Sequence, residues 1–308
     1  MATEMIPQAN AHVGYYGLPL LKKPVWTWEV PLYLFVGGAS GAASVIAVMS
    51  DWLDGDETIA RDARWIAAGG SIISTGLLTA DLGRPERLVN MLRVFKPQSA
   101  MSVGSWTLSA FSTLSATSAF ASAMERRFDG SMPVRVVHQI AAPAAAMLGT
   151  VMSTYTGVLI GATAIPVWNK NVDVLPLHFG ASGVASAVAM LELLGHEDDA
   201  LQLLGIAAAA VETATGAVIE FKRGEESSPL RDGASGWLTR TGGVLSGPVP
   251  LALRAFAWHR PQLRRAAAAS ALAGSLLTRL AWIAAGRASA QDAATPLALP
   301  AAARVSLP

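Results

Sequence analysis

The side chains able to do chemistry in this sequence are charged and phenolic groups set inside, or at the edges of, long apolar tracts. Glu212 stands near the middle of a tract at 200–221, and Arg279 stands within another at 266–286. On insertion scales each charge at the centre of a membrane helix costs at least ~2.5–3.5 kcal/mol, so such residues point to a proton path, a polar cavity or a partner. Glu29 precedes the tract at 30–49, and Tyr33 follows it by one helical turn on the same face. Asp81 closes the tract at 65–80, Glu192 lies near the end of the one at 176–194, and Tyr155 occupies the later half of 137–164. Plain structural roles stand beside these. Glu29, Asp81 and Glu192 can be interfacial carboxylates. Arg279 can be a counter-ion for Glu212 or a clamp on backbone carbonyls. Trp26, Trp28 and Tyr33 can be aromatic-belt anchors.

What must position these groups is a helical membrane bundle. Hydrophobic residues make up 52% of the 308, and charged ones only 15%, against roughly 25% charged in soluble domains. A bilayer core of about 30 Å needs roughly 20 apolar helical residues. Tracts at 30–49, 65–80, 103–124, 137–164, 176–194, 200–221, 234–253 and 266–286 meet or approach that length. The fold expected is therefore an all-α integral membrane protein of about eight spans. It divides into an extramembrane segment at 1–29, the transmembrane domain at 30–286 and a tail at 287–308. The first tract is read as a retained helix, because residues 1–29 hold no apolar core of leader type. Gly37/Gly41 and Gly157/Gly161 are small-xxx-small pairs, expected to be packing surfaces.

An even number of spans puts both termini on one side, together with the loops at 81–100, 168–173 and 222–232. Glu29, Asp81 and Tyr155 all fall toward that side. It also carries more of the Lys and Arg, which points to the cytoplasm, although several of these fall in the motif described next.

Composition narrows the chemistry. With no cysteine in the sequence, disulfides, thiolate zinc sites, iron–sulfur ligation and thiol nucleophiles have no residue to use. His138 begins the fourth span and His178 the fifth, on opposite sides, so no bis-histidine haem pair is expected and no metal site. The near-neutral charge of +1 gives no reason to expect nucleic acid.

The densest motif is Asp81-Leu82-Gly83-Arg84-Pro85-Glu86-Arg87. Leu88, Met91, Leu92 and Phe95 follow at i, i+3, i+4 and i+7, which predicts a short helix lying in the interface with Pro85 in its first turn. The run "DLGRPERLVNMLRVFKPQSAMSVGSW" resembles the signature of the polysulfide-reductase membrane subunit family, the NrfD-like proteins. The stretches "WTWEVPLYLFVGGASGA", "YTGVLIGATAIPVWN" and "RLAWIAAGRASAQD" resemble the same family in the same order, so the likeness extends from 26 to 292.

The resemblance implies a quinone-reactive subunit of the bacterial plasma membrane that is not an enzyme on its own. Its partners would be an iron–sulfur subunit and a catalytic subunit of molybdenum, tungsten or hydrogenase type. Electrons would pass between that iron–sulfur subunit and menaquinone or ubiquinone, with proton movement a further expectation. Carried over residue by residue, Tyr155 matches the span-four tyrosine at the quinone head group, Glu29 falls near a polar pocket position, and Asp81 and Arg84 match the loop motif. A pocket histidine of some relatives is Leu32 here, which leaves Glu29, Tyr33 or Asp81 to supply hydrogen bonds. Catalytic roles are thus expected for Asp81, Tyr155 and Glu29, and quinone contacts for Tyr33, Arg84, Tyr155 and Asp81. Independently of the resemblance, their position within the apolar tracts makes Glu212 and Arg279 the expected proton path. Two other classes, a purely structural anchor and a secondary transporter, remain compatible with the residues; an inverted repeat, which a transporter often has, is not apparent.

Overall fold

Gly83 and Gly195 show how this sequence writes its helix ends. Each follows a long helix with a positive φ, +69° and +102°, a conformation cheap only for glycine. Starts are marked as clearly. Asp56 accepts from the Thr58 N–H at 2.7 Å and Asp198 from the Leu201 N–H at 3.0 Å, each satisfying an orphan amide of a first turn. Pro85 and Pro166 open short helices where a missing N–H costs nothing.

The computed structural model describes residues 21–291 except 54, 128–131, 223, 257 and 259, so most of the expected N-terminal segment and tail lie outside the described residues. In chain order the helices are α1 (Glu29–Trp52), α2 (Glu57–Asp81), α3 (Pro85–Met91), α4 (Ala100–Arg127), α5 (Met132–Gly161) and α6 (Pro166–Asn169). They continue with α7 (Leu175–Leu193), α8 (Asp199–Phe221), a 3-10 helix (Glu225–Leu230), α9 (Gly233–Ser246), α10 (Pro248–Phe256) and α11 (Pro261–Gln291). No strand occurs among the described residues.

The distribution of side chains is that of a protein dissolved in lipid. Ile72, Ile73, Phe120, Ile140, Met147 and Leu203 face outward, whereas Ser71, Ser74, Ser182, Ser186 and Ser275 are buried. Hydroxyls inside a bundle satisfy themselves on the preceding turn, as Thr75 does on the Ser71 carbonyl at 2.9 Å, or across helices, as Ser71 does with Ser115 at 3.1 Å. The protein is an all-α, multi-pass membrane protein. Helices α1, α5, α8 and α11 are each long and apolar enough to cross a membrane; α2 and α3, bent by 107°, form a fifth candidate when taken together. The tracts expected as spans three and five coincide with α4 and α7. The expected span at 234–253 is instead two helices, α9 and α10, divided at Gly247. Pro248 and Pro250 remove the amides that would carry the helix through, and Gly247 fits against the Thr213 hydroxyl.

Helix α1 packs on α2, α5, α7 and α11, and glycine is what admits it. A Cβ on Gly149 of α5 would lie 2.5 Å from the Gly41 carbonyl, and one on Gly183 of α7 would lie 2.8 Å from that of Gly38. Gly157 likewise meets the Leu175 backbone at the α7 start, at 2.5 Å. The glycine pairs are packing surfaces. At one end of the bundle Lys170 pairs with Glu226 and Lys222 with Asp173, at 2.8 and 2.7 Å. At the other, His196 meets Asp62 at 2.9 Å and Arg64 pairs with Asp51.

Candidate functional site

The segment before α1, the end of α2, helix α3, the start of α4 and the later part of α5 converge on one cleft. Its walls are Trp26, Val30, Tyr33, Leu78, Asp81, Leu82, Met91, Met101, Gly104, Ser105, Tyr155 and Leu159, around about 500 Å³ of empty volume. The cleft is narrow: the centre of a water-sized body has about 50 Å³ in which to move.

Helical periodicity explains who reaches it. Val30 and Tyr33, Leu78 and Asp81, Met101 and Gly104, and Tyr155 and Leu159 are i, i+3 or i+4 pairs. Tyr33 and Tyr155 are buried, and Asp81 is half-buried at the C-terminal end of α2. The Tyr155 hydroxyl donates to the Ala100 carbonyl at the first turn of α4. Its ring lies against Gly104, where a Cβ would stand 2.6 Å from Cζ. Glu29 is not a wall of the cleft. Its charge nevertheless acts on Asp81, and the Thr27 backbone N–H is directed at the Asp81 carboxylate; the Thr27 hydroxyl donates to Glu29. Arg84 is exposed at the start of α3, outside the cleft wall. Leu32, half-buried, is no part of the wall.

Trp26 contributes more than an aromatic anchor. It stacks on Trp168 with ring centroids 5.1 Å apart and 16° between planes, and its carbonyl accepts from Arg287 of α11. Trp168 in turn donates its indole N–H to the Trp282 carbonyl at 2.7 Å. The segment leading into α1 is thereby held to α6 and α11, fixing one wall of the cleft. Met91 was expected on the apolar face of the short helix and not in a site, and Met101 and Gly104 were given no role; their spacing within the motif following Asp81 was the available signal.

Glu212 and Arg279 lie elsewhere, among α7, α8, α9 and α11. Both are buried, yet no ion pair within 4 Å joins them. Arg279 donates to the Ser182 hydroxyl at 2.9 Å and the Phe179 carbonyl at 3.1 Å, with its guanidinium 4.0 Å from the Phe179 ring centre. Of its two structural readings, the carbonyl clamp is the one observed. Glu192 is buried and bidentate with Arg254, at 2.6 and 2.7 Å, with Gln202 bridging to the same arginine at 3.1 Å. It is an internal staple between α7 and α10, and its partner was invisible in the sequence. His178 bonds Thr215 at 2.8 Å, and His138 lies 3.7 Å from Glu125 near the opposite end.

A helical membrane protein with a polar-edged cleft at one end of its bundle is the class these features define. The protein belongs to the family described as Polysulphide reductase, NrfD, whose model matches residues 20–197. Over 189 residues it is 29% identical to a protein of Wolinella succinogenes, the C chain of polysulfide reductase; the alignment takes in 56% of the present protein and 58% of that relative. The match thus spans less than two thirds of the relative's length. The family match takes in α1 to α7 and every residue of the cleft wall. Glu212, Arg279 and the C-terminal stretch at 279–292 lie beyond it.

Proposed function

We propose that this protein is the quinone-reactive membrane subunit of a respiratory oxidoreductase in the bacterial plasma membrane, crossing the bilayer eight times. Electrons pass between an iron–sulfur subunit, docked on the end carrying Trp26, Asp81 and Trp168, and menaquinone or ubiquinone held in the cleft. The iron–sulfur subunit connects to a catalytic subunit of molybdenum, tungsten or hydrogenase type. The observation that carries this reading is the meeting of Tyr33, Asp81 and Tyr155 in one cleft at one end of the bundle.

The chemistry asked of the protein is modest. Converting a quinone to a quinol takes two electrons and two protons, and a hydrocarbon surround supplies neither hydrogen-bond donors nor water. The Tyr155 hydroxyl, which donates to the Ala100 carbonyl, exchanges that acceptor for a quinone carbonyl. Tyr33 faces the same space. Asp81, half-buried at the boundary, passes protons between water and the cleft, with Glu29 beside it setting the local negative field. Seating a ring in so narrow a space requires Met91 and Met101 to shift, which their unbranched thioether groups allow at low cost.

Asp81→Asn and Tyr155→Phe keep size while removing a titratable group or a hydroxyl. In the purified complex each should slow quinone-coupled turnover by roughly 10²–10⁴-fold, the usual loss of acid–base assistance. Donor oxidation with a soluble dye should be retained. Wild-type quinone rates in both variants would leave the protein a structural anchor only.

A further inference from the structure

A second cavity lies among α7, α8, α9, α10 and α11. His178 from α7, Glu212, Thr213, Gly216 and Glu220 from α8, Thr239, Arg240 and Gly243 from α9, Pro248 of α10, and Thr278 and Trp282 of α11 line it, around about 1020 Å³ of empty volume. Its floor is unusual. Glu212 is 2% exposed and makes no ion pair within 4 Å; neither oxygen is closely hydrogen-bonded, and its polar neighbours are the Ser246 and Ser182 hydroxyls and the Arg279 charge. A carboxylate this deeply buried is costly enough that such groups are usually paired with a cation at close range, as Glu192 is with Arg254 in this same protein. The mouth is polar. Glu220 and Arg240 pair at 3.1 Å with both side chains substantially exposed. Glu220 lies two turns from Glu212 on α8, an axial rise of about 12 Å.

Beside Glu212 the interior also holds a fixed cation, close enough for the two charges to act on each other. Arg279 is fully buried and fixed on Ser182 and the Phe179 carbonyl. The Ser182, Ser275 and Ser186 hydroxyls behind it are satisfied among themselves, at 2.6 and 3.0 Å. A fixed guanidinium at membrane depth repels protons and cations, as arginines do in selective pores.

We propose that this cavity is a one-sided proton-binding site. Water enters at Glu220 and Arg240, from the end of the bundle that carries Lys170 and Lys222, and Glu212 takes up and releases a proton to that side alone. Arg279 is the barrier that keeps the proton from crossing. The remaining groups facing Glu212 are His178 from α7, whose Nδ1 is engaged by Thr215, and Arg240 from α9 at the mouth. The exchange is a simple protonation of a carboxylate and needs no quinone, so it stands or falls separately from the cleft.

Because the sequence has no cysteine, an introduced one reports alone. Ala217 of α8 and Thr239 of α9 both line the cavity; Ala217→Cys and Thr239→Cys, made singly in the full complex, are exposed to a membrane-impermeant thiol reagent in vesicles of each orientation. Both should be modified from the Lys170 and Lys222 side, and neither from the other. Modification from the opposite side, or from neither, overturns the proposal. In the native protein, the apolar reagent dicyclohexylcarbodiimide should modify Glu212, as read by mass spectrometry. The adduct should diminish as pH rises and be lost in Glu212→Gln. Absence of the adduct at every pH would also overturn it, whatever the cysteine variants do.

Discussion

Replacing Gly104 by alanine tests the cleft through a single methyl group. The added Cβ would stand 2.6 Å from Tyr155 Cζ, whereas carbons in contact prefer about 3.5–4.0 Å. The phenol ring must therefore retreat by about 1 Å. It has little freedom to do so, because Tyr155 is buried and its hydroxyl is engaged by the Ala100 carbonyl. Overpacking of this kind typically costs about 1–3 kcal/mol of stability, which a bundle of this size should survive. Its effect on function should be larger, since a misplacement of about 1 Å at a reacting group can cost about 10²-fold in rate. The assay is quinone-coupled turnover of the purified complex against turnover with a soluble dye. Gly104→Ala should be about 10²-fold slower with quinone and unchanged with dye. Gly69→Ala is the matched control, because nothing lies within 4 Å of its added Cβ. A folded Gly104→Ala complex reducing quinone at the wild-type rate would refute the placement of Tyr155 at the site.

Further expectations follow from other contacts. Glu192→Ala strands the buried Arg254 guanidinium and should destabilise the bundle by about 3–5 kcal/mol, measured as lost thermal stability in detergent, while Glu220→Ala at the exposed pair with Arg240 should cost little. Trp168→Phe removes the indole bond to the Trp282 carbonyl, worth about 0.5–1.5 kcal/mol, and should raise the quinone KM more than it lowers the dye rate; equal effects on both would make Trp168 purely structural. Reporter fusions after Arg126 and after Arg287 should report opposite compartments, and the same signal from both would break the assignment of spans three to eight. Bonding to Lys222 and Lys170 holds the Asp173 and Glu226 carboxyls below their usual range. Their contribution is therefore present above the usual carboxylate pKa and lost as pH falls through the lowered values, so hydrogen exchange at 170–175 and 225–230 should quicken only under acid.

Local chemistry was enough to place the helices. Insertion into a bilayer depends on the summed transfer cost of neighbouring residues, and capping depends on atoms one turn away. The tracts, the short helix after Asp81 and the glycine-rich faces of α1 and α5 were therefore legible in order along the chain. The exception, the expected span at 234–253, is also local in cause: Gly247, followed by Pro248 and Pro250, divides it. Which polar groups meet was a different kind of question. It depends on how each helix is rotated and how closely two backbones approach, and those are settled by contacts such as Gly41 on Gly149. That is why Asp81 and Tyr155 came together as their shared depth implied, while Arg84, adjacent in the motif, turned to water. It is also why Glu192 found Arg254, 62 residues away, and why Glu212 and Arg279, matched in charge and depth, did not pair. Residue types in chain order mark a helical membrane protein and show which residues carry charge into it. Which of those charges a neighbour neutralises, and which face a cavity, follows from packing, because helix rotation and crossing are set by side chains distant in sequence.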